Sequence, residues 1–143
     1  MIDVETATVI ARPRAEVAAY ASDPDNAPRW YRNIESAEWR TTGPLALGSR
    51  VAFVAHFLGR TLSYVYEIVE YVPGEKLVMR TSEGPFPMET TYTFADVGDS
   101  TRMTLRNRGE PAGFSRLVAP LMARMMRSAN RKDLTALASI LEG

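Results

Sequence analysis

Residues 60–77 read RTLSYVYEIVEYVPGEKL. The first half alternates: Leu62, Tyr64, Tyr66 and Ile68 share one face of an extended chain, while Thr61, Ser63, Val65, Glu67 and Val69 share the other. Side chains two residues apart on a strand point the same way, so the larger and more apolar set should face inward. Pro73 and Gly74 then mark a tight turn, and KLVMRT resumes as a second strand from Lys76. The inward face carries two phenols. A buried hydroxyl without a partner costs roughly 1–3 kcal/mol. Tyr64 and Tyr66 therefore meet either a packed core that satisfies them or a hollow meant for something else.

The same reading extends in both directions. IDVETATVIA, from Ile2, is rich in Val, Ile and Thr and reads as a first strand. RPRAEVAAYAS follows as a short helix, with Pro13 suited to its first turn. SDPDNAPRWYRNI reads as a second short helix, capped by Ser22 or Asp23, with Pro24 at its first position and Trp30, Tyr31 and Ile34 at its buried end. IESAEWR sets Ala37 and Trp39 against Ser36, Glu38 and Arg40. RVAFVAHF sets Val51, Phe53, Ala55 and Phe57 against Arg50, Ala52, Val54 and His56. METTYTFA places Met88, Thr90, Tyr92 and Phe94 together, and TRMTLRNR places Met103, Leu105 and Asn107 together. Short strands joined by tight turns favour an antiparallel sheet.

The last thirty or so residues change period to that of a helix. Phe114, Leu117, Val118, Leu121, Met122, Met125, Ala129, Ala136 and Ile140 recur at helical spacing, and Pro120 should kink this helix or split off its first turn. The expected α+β architecture is one strand, two short helices, about six more strands and a long helix that covers the inner face of the sheet. With no linker or repeat in sight, residues 1–143 read as a single domain.

Composition removes several functions. Seventeen basic and seventeen acidic residues give zero formal net charge, without the basic excess of a nucleic-acid binder. There is no cysteine and one histidine, His56, so thiol nucleophiles and the usual transition-metal sites are excluded, and no cofactor or metal is expected. No apolar run approaches the roughly 20 residues of a membrane span, and MIDVETATVI lacks the features of a signal peptide. A cytoplasmic location is the expectation.

The order of these elements is similar to that of the START/Bet v 1-like (SRPBCC) superfamily, in particular its bacterial polyketide cyclase/dehydrase and lipid-transport branch. The resemblance is carried by ARPRAEVAAYASDPDNAPRW (11–30), GPLALGSRV (43–51), YEIVEYVPGEKL (66–77) and GEPAGFSRLVAPLMARMM (109–126). It implies a helix-grip fold: a curved antiparallel sheet of about seven strands around a long C-terminal helix, with an elongated apolar cavity between them. It implies no catalytic residue, because members of different activity share no universal motif.

The inferred inner surface gathers Trp39, Phe53, Phe57, Tyr64, Tyr66, Met79, Met88, Tyr92, Met103 and Asn107 from the strands, with Met122, Met125 and Met126 from the helix. Apolar walls with a few polar tips suit a small-molecule pocket, and methionines let it adapt to its occupant. An ordinary core would serve as well, its phenols satisfied by backbone, each other or trapped water. Asn107 either meets a ligand carbonyl or hydroxyl or sits at a strand end near solvent. Alternation puts His56 on the outer face, and no serine or carboxylate is expected beside it. Glu67, Glu70 and Glu89 make no interior acid–base pair. Arg116, Arg124, Arg127 and Arg131 share the back of the last helix and read as a solvated face. The expected partner is a hydrophobic small molecule: lipid, polyketide or quinone-like. Three roles remain open: a carrier, an aromatase/cyclase-like enzyme, and a lipid chaperone resembling the coenzyme Q-binding relatives. The oligomeric state is left open.

Overall fold

The structure is a computed structural model that describes residues 2–57, 59–84, 87–110 and 119–143, without the side chain of Phe57. Strand β1 (Ile2–Ile10) leads into helix α1 (Arg14–Ser22), a 3-10 turn (Pro24–Asn26) and the single helical turn α2 (Ala27–Trp30). Strands β2 (Ile34–Trp39), β3 (Arg50–Phe57), β4 (Arg60–Val72), β5 (Lys76–Glu83), β6 (Met88–Val97) and β7 (Ser100–Gly109) follow, and helix α3 (Ala119–Glu142) ends the chain. The seven strands form one antiparallel sheet in the order β1-β7-β6-β5-β4-β3-β2. This is the helix-grip fold: a curled sheet holding the long C-terminal helix.

Alternation decides which face looks inward. On β1, Ile2, Val4, Thr6 and Ile10 are buried; on β6 it is Met88, Thr90, Tyr92 and Phe94; on β7 it is Thr101, Met103, Leu105 and Asn107. Strand β4 keeps this phase only to Ile68. Its register against β5 shifts between Val65 and Tyr66 and again between Ile68 and Glu70. Such bulges add a residue to one strand, bend it and strengthen its twist. After the second shift Tyr71 packs against the core and Val72 is exposed.

The short helices close one end of the sheet. Pro13 caps α1, whose Val17, Ala18, Ala21 and Ser22 are buried. Arg14 ties α1 to the sheet: its Nη1 donates to the carbonyl of Gly74 at 3.0 Å and its Nε to Asp96 at 3.2 Å. Gly74 holds a left-handed φ of 81° in the turn after β4, a conformation that favours glycine. Asp23 accepts a hydrogen bond from the Asp25 N–H at 3.0 Å and starts the 3-10 turn, with Pro24 next. The second short helix is thus split into a 3-10 turn and one α turn.

Helix α3 turns a different face inward than its apolar residues suggest. Leu121, Met125 and Ile140 are 54%, 38% and 41% exposed, while Met122, Asn130, Asp133, Leu134 and Leu137 are buried. With half-buried Met126 included, positions 122, 126, 130, 134 and 137 step by three or four residues, with Asp133 beside them, as one helix face must. Two of its members are polar, so counting apolar residues alone rotates the expected face by about one position. Pro120 is the second residue of α3 as described. Phe114, Leu117 and Val118, and with them Arg116, lie outside the described residues. The main core runs from Ile10, Val17 and Trp30 through Phe94, Met103 and Leu105 to Leu134 and Leu137. A second cluster joins Ile2 and Val4 to Met122. Fully burying one such side chain contributes about 1.5–3 kcal/mol.

Candidate functional site

A hollow of about 160 Å³ lies between these clusters, under α3 and against the inner face of the sheet. Alternation on β3, β4 and β6 brings Phe53, Tyr64, Tyr66, Met88 and Tyr92 to its wall, and Asn107 arrives from β7. Tyr66 meets Phe53 edge-on at 5.6 Å and lies 5.9 Å from Tyr64. Gly84 backs this cluster: a Cβ there would stand 2.6 Å from Cδ1 of Tyr64. Met79 and Met126 also line the hollow.

Other residues expected at the site stand elsewhere. Trp39 is half-buried on β2, and its indole N–H donates to Asp25 at 3.0 Å, clamping the strand to the 3-10 turn. Met103 is fully buried in the main core, and Met122 is fully buried against Ile2 and Val4. Met125 does not face the sheet; the residue after it, Met126, does so on the rotated face of α3. The side chain of Phe57 is outside the described residues. So are residues 85–86 and 111–118, near which the sequence suggests an opening.

Polar groups also line the hollow. The hydroxyls of Tyr31 and Tyr92 share a hydrogen bond of 2.6 Å, and Trp30 stacks on Tyr31 with ring centres 4.0 Å apart. Thr90 donates to the side-chain oxygen of Asn107 at 2.7 Å, and the phenol of Tyr66 neighbours Thr90. The Asn107 oxygen is therefore paired inside the protein, on a residue that is buried. Asp133 is 2% exposed, and one carboxyl oxygen accepts the Arg32 N–H at 3.1 Å. Asn130 is 4% exposed, and its amide nitrogen has no partner.

Burial sets the charge states. Tyr31 and Tyr66 are half-buried and line the hollow. Desolvation pushes the Tyr31, Tyr66 and Tyr92 phenols well above their ordinary range, and Tyr64 up to about 12. All four stay neutral near pH 7. Desolvation also raises Asp133 to about 6, against the opposing pull of the Arg32 N–H and guanidinium. Asp133 is thus the cavity-lining carboxyl that changes charge near neutral pH. A carboxyl in an apolar hollow beside neutral phenols can accept or return a proton, and it can hold a donor.

Tyr31, Thr90, Asn130 and Asp133 escape the sequence reading. Thr90 was visible, since its register matches that of Tyr92. Asn130 and Asp133 were hidden by their polarity on a helix read by its apolar positions. His56 also corrects an expectation. Its side chain is exposed, yet it is also among the residues lining the hollow; Glu35 Oε2 lies 3.1 Å from its Nε2 and Thr61 Oγ1 lies 3.2 Å from its Nδ1. Cross-strand pairing places them there: β3 pairs His56 with Thr61, and the His56 N–H donates to the Asn33 carbonyl beside β2. The group has a triad's order without a triad's enclosure, and exposed ion pairs are worth at most about 1 kcal/mol. Among the described residues no cluster of three or more metal-binding side chains occurs, and no helix is long and apolar enough to cross a membrane.

A long helix gripped by a seven-stranded antiparallel sheet, with a hollow between, defines a START/Bet v 1-like protein. The family described as polyketide cyclase/dehydrase and lipid transport matches residues 1–142, and the chain belongs to it. Solved structures agree at the level of fold. A protein from Thermus thermophilus aligns with a TM-score of 0.84 at 22% identity, covering 97% of this chain and 96% of that one. A START superfamily protein from Mycobacterium smegmatis gives 0.81 at 14% identity, covering 98% and 97%. An aromatase/cyclase from a Streptomyces species gives 0.82 at 17% identity, covering 98% and 93%. No curated protein matches the sequence.

Proposed function

We propose that this protein binds or carries a hydrophobic, aromatic small molecule in the hollow between the sheet and α3. The observation that supports this most is the hollow itself: about 160 Å³ with apolar walls and a few convergent polar groups. Dry cavities of about 150 Å³ are known to admit benzene, so the space suits one ring. Pockets for drug-sized ligands run to roughly 300–1,000 Å³, which makes a lipid or a long polyketide a poor fit to this conformation. The cavity-filling variant Met126→Trp tests the reading. It should lose most binding of a one-ring apolar probe such as toluene, whereas Met125→Trp, on the exposed side of α3, should bind as the parent does. Equal binding by parent and Met126→Trp would place the ligand elsewhere.

A second reading, an aromatase/cyclase-like enzyme, is favoured by Asp133. Its carboxylate could take a proton from the carbon between two carbonyls and return it to the alkoxide formed as the ring closes. A short poly-β-ketone thioester is the test substrate. Ring closure no faster or more selective than in buffer would remove this reading.

A further inference from the structure

Hydrogen-bonding capacity around the hollow is unevenly spent. Thr90 donates to the Asn107 side-chain oxygen, and Tyr31 and Tyr92 share their own bond. Two groups on α3 keep capacity in hand. The Asn130 amide nitrogen is a buried donor without a partner. Asp133 offers a carboxyl of which the Arg32 N–H uses one oxygen. The two residues are three apart on one helix face, which places their side chains side by side, and both line the hollow. The remaining wall is chiefly methionine, aromatic ring and aliphatic side chain, with Asn33 and His56 as further polar members.

We infer that Asn130 and Asp133 form a recognition edge for a hydroxyl group, and that the ligand it selects is a monocyclic phenol. The inference rests on the proposed binding role of the hollow and names the ligand class for it. A phenolic hydroxyl can accept from the Asn130 amide and donate to the Asp133 carboxylate through one oxygen atom. The alternatives each leave something unpaired. An apolar ring satisfies neither group. An ammonium group has no lone pair for the Asn130 donor. A carboxylate ligand would repel Asp133, and burying two like charges together is costly. The ring fits the size of the hollow, and a simple phenol, with a pKa near that of tyrosine at about 10, enters neutral at pH 7.

The experiment compares 4-methylphenol with toluene, which differs by the hydroxyl alone, in calorimetric or ligand-observed NMR titrations at pH 7.5. A hydrogen bond to a charged group in a buried site should make 4-methylphenol bind at least about tenfold more tightly than toluene. Asn130→Leu and Asp133→Asn should each bring that ratio towards unity. Two variants guard against one failing to fold. Toluene bound as tightly as 4-methylphenol by the parent overturns the hydroxyl edge and leaves the cavity reading standing. Binding of neither compound overturns both. A parent-like ratio in both variants assigns the preference to other residues and overturns the edge.

Discussion

Replacing Asp133 by asparagine should stabilise the protein at neutral pH. The carboxyl is 2% exposed and its pKa is raised from 3.8 to about 6, mainly by burial. The folded state thus binds this proton more tightly than the unfolded chain. The stability from this group is complete below about pH 4, declines as pH rises through about 6, and is absent above it. A shift of about two units at 1.36 kcal/mol each makes the loss about 3 kcal/mol. Asparagine is nearly isosteric, carries no charge, and its carbonyl can still accept the Arg32 N–H. Exchanging a charged acceptor for a neutral one returns about 1 kcal/mol, leaving a net gain of about 1–2 kcal/mol at pH 7.5. For a chain of this length that is a rise of roughly 3–8 °C in Tm. Thermal and urea melts of parent and variant at pH 4.0, 5.0, 6.0 and 7.5 give the test, because other carboxylates titrate alike in both. The difference should grow with pH and level off above 6. A variant less stable than the parent at pH 7.5, with parallel pH profiles, would show that the ionised carboxylate is stabilised by a partner and that desolvation does not dominate.

Other outcomes follow from named contacts. Thr90→Val leaves the buried Asn107 oxygen without its 2.7 Å donor and should cost roughly 1–3 kcal/mol; adding Asn107→Leu should recover much of it, because both polar partners are then gone. A denaturant double-mutant cycle measures this, and additive losses would refute it. Gly84→Ala places a methyl 2.6 Å from Cδ1 of Tyr64, so the ring must shift; a loss of roughly 1–3 kcal/mol in urea melts is expected, and an unchanged midpoint would contradict the packing.

The strands were legible because each has one wet face. Tyr64, Tyr92 and Asn107 keep the phase that alternation gives them, and the turn at Gly74 follows from Pro-Gly chemistry. Alternation names the face of a strand but not the neighbour. Trp39 was assigned the correct side, yet its indole reaches Asp25 across a loop that no periodicity describes. Met103 and Met122 are inward too, but the distance between core and hollow is set by the packing of α3. The bulges between β4 and β5 are also silent in the sequence, since Val69 on β4 and Ser82 on β5 look like any other strand residue.

The misreading of α3 carries more meaning. Local rules fail most often where a sequence serves something other than stability. A helix placed only for packing would have apolar residues at 130 and 133, and the stripe would then have been read on its true face. On the proposed binding role, Asn130 and Asp133 serve the hollow, and a prediction follows. Asn130→Leu removes an unpartnered buried donor, adds apolar surface and replaces a weak helix former by a strong one. It should raise stability by about 1 kcal/mol in urea melts while weakening the binding of hydroxylated rings. A loss of more than about 1 kcal/mol would mean that the amide holds the helix in place, and the polar break in the stripe would then belong to the fold and not to a ligand.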